Sequence, residues 1–103
     1  MSSNQKFSIS ASDRYALALF ELAQEESQLD RIEKEVEEFR KLITKNDDIS
    51  FLVKNPLIGK KEQVTSIKKI LHISDFSKLF QNFIELITNK RRLFFIEKIL
   101  DSF

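Results

Sequence analysis

Ala11-Ser12-Asp13-Arg14-Tyr15-Ala16-Leu17-Ala18-Leu19-Phe20-Glu21-Leu22-Ala23 reads as a helix with more apolar surface than one core contact uses. At about 100° per residue, Tyr15, Ala18, Leu19 and Leu22 share one side and Ala16, Phe20 and Ala23 cover the adjoining one. Leu17 lies beyond them, and only the sector of Arg14, Glu21, Gln24 and Glu25 is polar. A surface helix ordinarily buries an apolar stripe a little over about 100° wide. The surplus predicts a helix that packs on its own bundle and offers a second face.

Outward from this segment, the chain divides into six helical stretches. Ser10 and Asp13 open the first in a pattern close to a capping box. Asp30 is placed to cap a second, in which Leu29, Ile32, Val36, Phe39 and Ile43 recur at three- and four-residue steps. Its other side carries Glu33, Lys34, Glu37, Glu38 and Lys41, a solvated face with local ion pairs. Asn46-Asp47-Asp48 stops that helix, and Ile49 to Lys54 makes a short third one before Pro56. Asn55 is pushed out of the helical region by the proline that follows it. Leu57-Ile58-Gly59 is then a bend, its two apolar residues expected against the bundle. A fourth helix spans Lys60 to Leu71 on Val64, Ile67, Ile70 and Leu71. Ser74-Asp75 is expected to cap a fifth, with Phe76, Phe80, Phe83 and Ile87 as its core stripe and Leu79, Asn82 and Leu86 on a flank about 60° to 80° away. After Asn89-Lys90-Arg91, a sixth helix uses Leu93, Ile96, Ile99, Leu100 and Phe103.

Composition supports this all-α reading. The 103 residues suit one domain, and ten Phe among 42% apolar residues suffice for its core. With one Gly and one Pro, the chain lacks the turn formers of a sheet protein and the bias of a disordered one. Residues 1–10 are expected to be a flexible lead-in, residues 11–103 a single six-helix bundle. Phe20, Phe39, Phe80, Phe83 and Ile96 are expected to be buried.

Several functions are disfavoured. There is no Cys for disulfides or thiolate metal sites. No apolar run approaches the ~20 residues of a membrane span, and Met1 to Ser10 lacks the pattern of a signal peptide. A soluble, intracellular protein is expected, without direct membrane insertion. His72, at the end of the fourth helix, suits a favourable cation near a helix C-terminus and has no co-ligands. The only glycine, Gly59, cannot make a phosphate loop, and Ser8, Ser10, Ser12 and Ser27 have no histidine near them to activate them. No catalytic residue, metal or cofactor is therefore assigned. Seventeen basic residues against sixteen acidic give a net charge of +1, which promises no general attraction to nucleic acid. The basic clusters Lys60-Lys61 with Lys68-Lys69, and Lys90-Arg91-Arg92, lie beside helix ends and lack exposed aromatics for base stacking.

Two helices with apolar flanks can line one groove, and an amphipathic partner helix is the natural occupant. The candidate groove residues are Tyr15, Ala18 and Leu22 from the first helix with Leu79, Asn82 and Leu86 from the fifth.

The order Asp13-Arg14-Tyr15-Ala16, Ala18-Leu19-Phe20-Glu21-Leu22-Ala23, the Leu29 to Ile43 helix, Asn55-Pro56-Leu57-Ile58, Asn82-Phe83-Ile84, Leu86-Ile87 and Arg92-Leu93 resembles a known family. It is similar to the amino-terminal domain of the ATP synthase delta subunit, whose mitochondrial counterpart is the oligomycin-sensitivity-conferring protein. The resemblance covers nearly all of the chain from Ser10 to Phe103. It implies a non-catalytic six-helix bundle at the top of the catalytic head, joining that head to the peripheral stalk. It further implies that a groove between the first and fifth helices receives the amino-terminal helix of one alpha subunit. The family commonly has glycine before the sixth helix, where this chain has Arg91. A second, carboxy-terminal domain that binds the stalk b subunits is missing here, so an isolated, monomeric domain is expected. Without a transit peptide, the expected place is the cytoplasmic side of a bacterial inner membrane, within the ATP synthase complex. Another helical protein-binding module, or an RNA-binding bundle, are the alternatives.

Overall fold

Three buried phenylalanines hold the bundle at its centre. In the computed structural model, which describes residues 10–103, Phe39 meets Phe76 and Phe80 edge to face, with ring centroids 5.9 and 5.7 Å apart. Phe76 and Phe80 lie 5.1 Å apart. The described residues form helices α1 (Ala11–Glu25), α2 (Leu29–Lys45), α3 (Asp47–Lys54), α4 (Lys60–Ile73), α5 (Lys78–Asn89) and α6 (Ile96–Ser102), with a short 3-10 turn at Leu93–Phe95. This is the expected all-α, six-helix architecture. The expected flexible lead-in falls, except for Ser10, outside the described residues.

Helix starts follow side-chain chemistry at three points. Ser10 Oγ accepts from the Asp13 N–H at 3.1 Å, Asn46 Oδ1 from the Ile49 N–H at 3.1 Å, and Ser77 Oγ from the Phe80 N–H at 3.3 Å. Each satisfies one of the orphan donors of a first turn. Two of the expected caps are corrected. Asp30 lies inside the first turn of α2, whose N-cap is Gln28 with no side-chain cap bond. There its charge still faces the positive end of the helix dipole. Ser74-Asp75 ends α4 instead of starting α5, because the chain closes a C-terminal motif there. Asp75 takes a left-handed φ of 59°, its N–H reaches His72 O at 3.2 Å, and the Phe76 N–H reaches Leu71 O at 3.3 Å.

Ser27 and Arg91 take the same left-handed conformation at the ends of α1 and α5, with φ of 56° and 58°. The Gln28 N–H bonds Ala23 O at 2.8 Å and the Arg92 N–H bonds Ile87 O at 3.0 Å, again satisfying carbonyls at a helix end. Arg91 thus occupies the turn where the resembled family commonly has glycine. Its side chain compensates: Nη2 donates to Ile58 O at 2.7 Å and Nη1 to Gln63 Oε1 at 3.1 Å. Gln63, buried, donates onward to Leu52 O at 3.1 Å, so one network ties the bend after α3 to the turn after α5.

The closest helix pairs are α4 with α5, α1 with α6, and α2 with α3, while α1 also rests on α2. Leu19, Ile32, Phe39, Ile67, Phe80, Ile84 and Ile96 are fully buried among them. Four of the five expected core residues are buried. Phe20 is only half-buried, because it lies at the rim of the α1–α6 contact, edge to face with Phe103 at 6.1 Å. Leu57 is 90% exposed, against expectation, since the network around Arg91 holds the bend by its carbonyls and leaves that side chain outside. Ile58 is half-buried.

Candidate functional site: a groove between the first and fifth helices

Helices α1 and α5 are not among the closely packed pairs. The space left between them is a groove of about 410 Å³, lined by Leu22, Glu26 and Gln28 on one side and by Lys78, Leu79, Asn82, Phe83 and Leu86 on the other. Each helix reaches it by the same logic. On α1, Ala16, Leu19 and Ala23 face the core and leave Leu22, 44% exposed, on the flank. On α5, Phe80, Ile84 and Ile87 are buried and leave Leu79 half-buried and Leu86 47% exposed. Phe83, nearly buried, forms the floor.

The two helices run in opposite senses. The C-terminal residues Glu26 and Gln28 of the α1 side lie opposite Lys78, the first residue of α5. At the other end, Tyr15 near the start of α1 meets Arg92 just after α5: Arg92 Nη1 donates to the Tyr15 hydroxyl at 2.7 Å, and the guanidinium carbon stands 5.7 Å from the ring centroid.

Of the six candidate residues, Leu22, Leu79, Asn82 and Leu86 line this groove. Ala18 is exposed on α1, one turn before Leu22 and outside the groove lining, and Tyr15 is half-buried a further turn back, capped by Arg92. The sequence reading left out Glu26, Gln28, Lys78 and Phe83. Glu26 and Gln28 fall in the connection after α1, where periodicity carries no signal, and Phe83 was assigned wholly to the core. Lys78 follows from correcting the start of α5. Polar groups in the groove can orient an occupant, while its apolar walls supply the contact area.

Elsewhere the side chains offer less. His72 is exposed in the last turn of α4. Among the described residues no cluster of three or more His, Asp or Glu could hold a metal ion, and no helix is long and apolar enough to cross a membrane. The basic run after α5 is divided: Arg91 turns to Ile58 and Gln63, Arg92 to Tyr15. Lys68 lies 4.0 Å from Glu85, so it is partly neutralised.

Comparison with known proteins gives one family. The model described as ATP synthase delta (OSCP) subunit matches residues 11–103. ATP synthase subunit delta of Pelagibacter ubique is 38% identical over 103 residues, which is 100% of this chain and 56% of that protein. The subunits delta of Azorhizobium caulinodans and Methylobacterium radiotolerans are 34% and 37% identical over 90 residues, 87% of this chain and 48% and 47% of theirs. The chain spans about half the length of the curated relatives it matches. No solved structure matches it.

Proposed function

The chain belongs to the ATP synthase delta (OSCP) subunit family, and from that premise we propose that it is a non-catalytic module of the peripheral stalk that binds the amino-terminal helix of one alpha subunit between α1 and α5. The observation that carries this reading is the groove itself, walled by exposed Leu22 and Leu86 on two helices that do not pack closely on each other. An amphipathic helix laid there would bury its apolar face against both.

Such a module makes mechanical sense. When a rotor turns inside the catalytic head, the head feels a counter-torque, and an anchor must hold it without doing chemistry. Tight binding is then the function. A groove built on packed helices keeps the ordering cost on the receptor side low, while the partner segment orders as it docks. Attachment to the stalk b subunits would pass through the part of the relatives that this chain does not span. The proposed place of action is the cytoplasmic face of a bacterial inner membrane.

Titration calorimetry of the 103-residue chain with a synthetic peptide of the alpha-subunit amino-terminal helix tests the reading. Saturable one-to-one binding is expected, only moderately weakened by salt. Ala18→Asp places a carboxylate one turn along α1 from the groove wall at Leu22, on the path of a helix that runs on toward Tyr15, and should weaken binding by at least about a hundredfold, roughly 2.7 kcal/mol. Because Ala18 is exposed, that variant should melt within a few degrees of the parent. Binding unchanged in a folded Ala18→Asp chain removes this surface from the site. Salt-sensitive binding to RNA with no response to the peptide would favour a nucleic-acid bundle instead.

A further inference from the structure

Arg92 is exposed on the Tyr15 side, beyond the Leu86 end of the groove, and, among the described residues, takes part in no ion pair. Its position is nonetheless defined. The bond to the Tyr15 hydroxyl at 2.7 Å and the approach to that ring at 5.7 Å fix the guanidinium past the Leu86 end of the groove, with further N–H donors unused. Lys90, also exposed, follows Leu86 by four residues and so continues the same face of α5 toward this end. The opposite end is different: Glu26 lines it beside Lys78, and Glu25 is exposed in the last turn of α1. Lys90 and Arg92 therefore stand beyond the Leu86 end of the groove, while Glu26 and Lys78 face each other at its opposite end.

We propose that Arg92 is the charge anchor of the groove, reading a carboxylate on the docked helix and thereby setting the direction in which that helix lies. This rests on the groove being a helix-binding site. The occupant it specifies is an amphipathic helix long enough to pass the Leu86 end of the groove, with an acidic side chain over Arg92. A guanidinium suits the task because its planar fork can take a carboxylate through two parallel bonds, and a fork already held by Tyr15 loses less freedom in doing so. Arg91 cannot share the role, since its side chain is committed to Ile58 and Gln63.

The test uses the whole chain and two synthetic amphipathic peptides with the same Leu-rich face. One carries Glu in its first turn and Lys in its last, the other the reverse, and each bears a nitroxide at its Glu end. In both cases the nitroxide should broaden the amide signals near Tyr15 and Leu93 and spare those of Lys78 and Leu79. Arg92→Glu should weaken binding about threefold to tenfold, the range expected for reversing one exposed charge in a pair, and spread the broadening over both ends. Arg92→Gln, which removes the charge but keeps a polar side chain, should show the same loss of direction. Equal broadening at both ends of the parent, or an unchanged pattern in both variants, would overturn the proposal. If neither peptide binds the parent, the groove reading fails first and takes this inference with it.

Discussion

Glu35 on α2 grips Ser77 at the start of α5 twice, accepting from its backbone N–H and from its hydroxyl at 2.6 Å each, across 42 residues of sequence. Glu35 is 4% exposed, and Arg31 approaches it at 3.4 Å. The same Ser77 hydroxyl oxygen accepts from the Phe80 N–H, so the carboxylate braces the cap of the helix that carries Leu79, Asn82 and Leu86. Replacing it with Gln puts an amide NH₂ where one of two donors now needs an acceptor. Glu35→Gln should therefore cost about 2 to 3 kcal/mol in urea unfolding, the range for charge-assisted bonds, with the fastest hydrogen exchange gained at Phe80 and Gln81. An unchanged midpoint would mean that the brace contributes nothing.

Phe80 and Phe20 should respond differently to truncation. Phe80 is fully buried between Phe39 and Phe76, so Phe80→Ala leaves a cavity and should cost about 3 to 5 kcal/mol. Phe20, half-buried against Phe103, can be replaced by water on its open side. Phe20→Ala should lose less than half as much, and thermal melts of the two variants give the comparison. Equal losses would contradict the assigned core.

Two helix ends in left-handed geometry make a second contrast. Ser27, at φ 56°, gains little from its side chain there, so Ser27→Gly should stabilise by about 0.5 to 1 kcal/mol, the backbone penalty removed less the added chain entropy. Arg91→Gly removes the same penalty at φ 58° but gives up the bonds to Ile58 and Gln63. At about 1 kcal/mol for each bond, the balance should turn to a net loss of about 1 kcal/mol. Stabilisation by both variants would show that the Arg91 network contributes nothing.

Asp13 links the two ends of the described chain. The Ser102 hydroxyl donates to its Oδ1 at 2.7 Å and, with Ser10, holds the carboxyl below its ordinary value of 3.8. A lowered folded-state value means that the fold favours the ionised form. The stabilisation is therefore complete above the unfolded value and is lost as pH falls through the folded one. An NMR titration should place the Asp13 midpoint below 3.8, and Ser102→Ala should move it upward. A midpoint indifferent to Ser102 would deny the link.

Helices, and the faces they bury, were legible in the residues because both are local. Ile32, Val36, Phe39 and Ile43 meet one side of a helix whatever lies opposite, and Ser10 three residues before Asp13 marks the start of α1. The surplus flanks of Leu22, Leu79 and Leu86 were legible for the same reason, as apolar positions beyond the core stripe. Glu35 was not: three residues after Ile32 and four before Phe39, it stood where a buried side chain belongs, yet only Ser77 arriving from 42 residues away makes a buried carboxylate tolerable there. Likewise nothing in Lys90-Arg91-Arg92 separates one arginine from the next. The left-handed turn sends Arg91 to the bend at Ile58 and leaves Arg92 beside Tyr15. Six amphipathic helices and most of the sides they hide could be read from residue order alone, because helical periodicity acts within a few residues. Which polar groups pair, and where two exposed flanks open one groove, depended on the folded arrangement, because both turn on which distant segments come within hydrogen-bond reach.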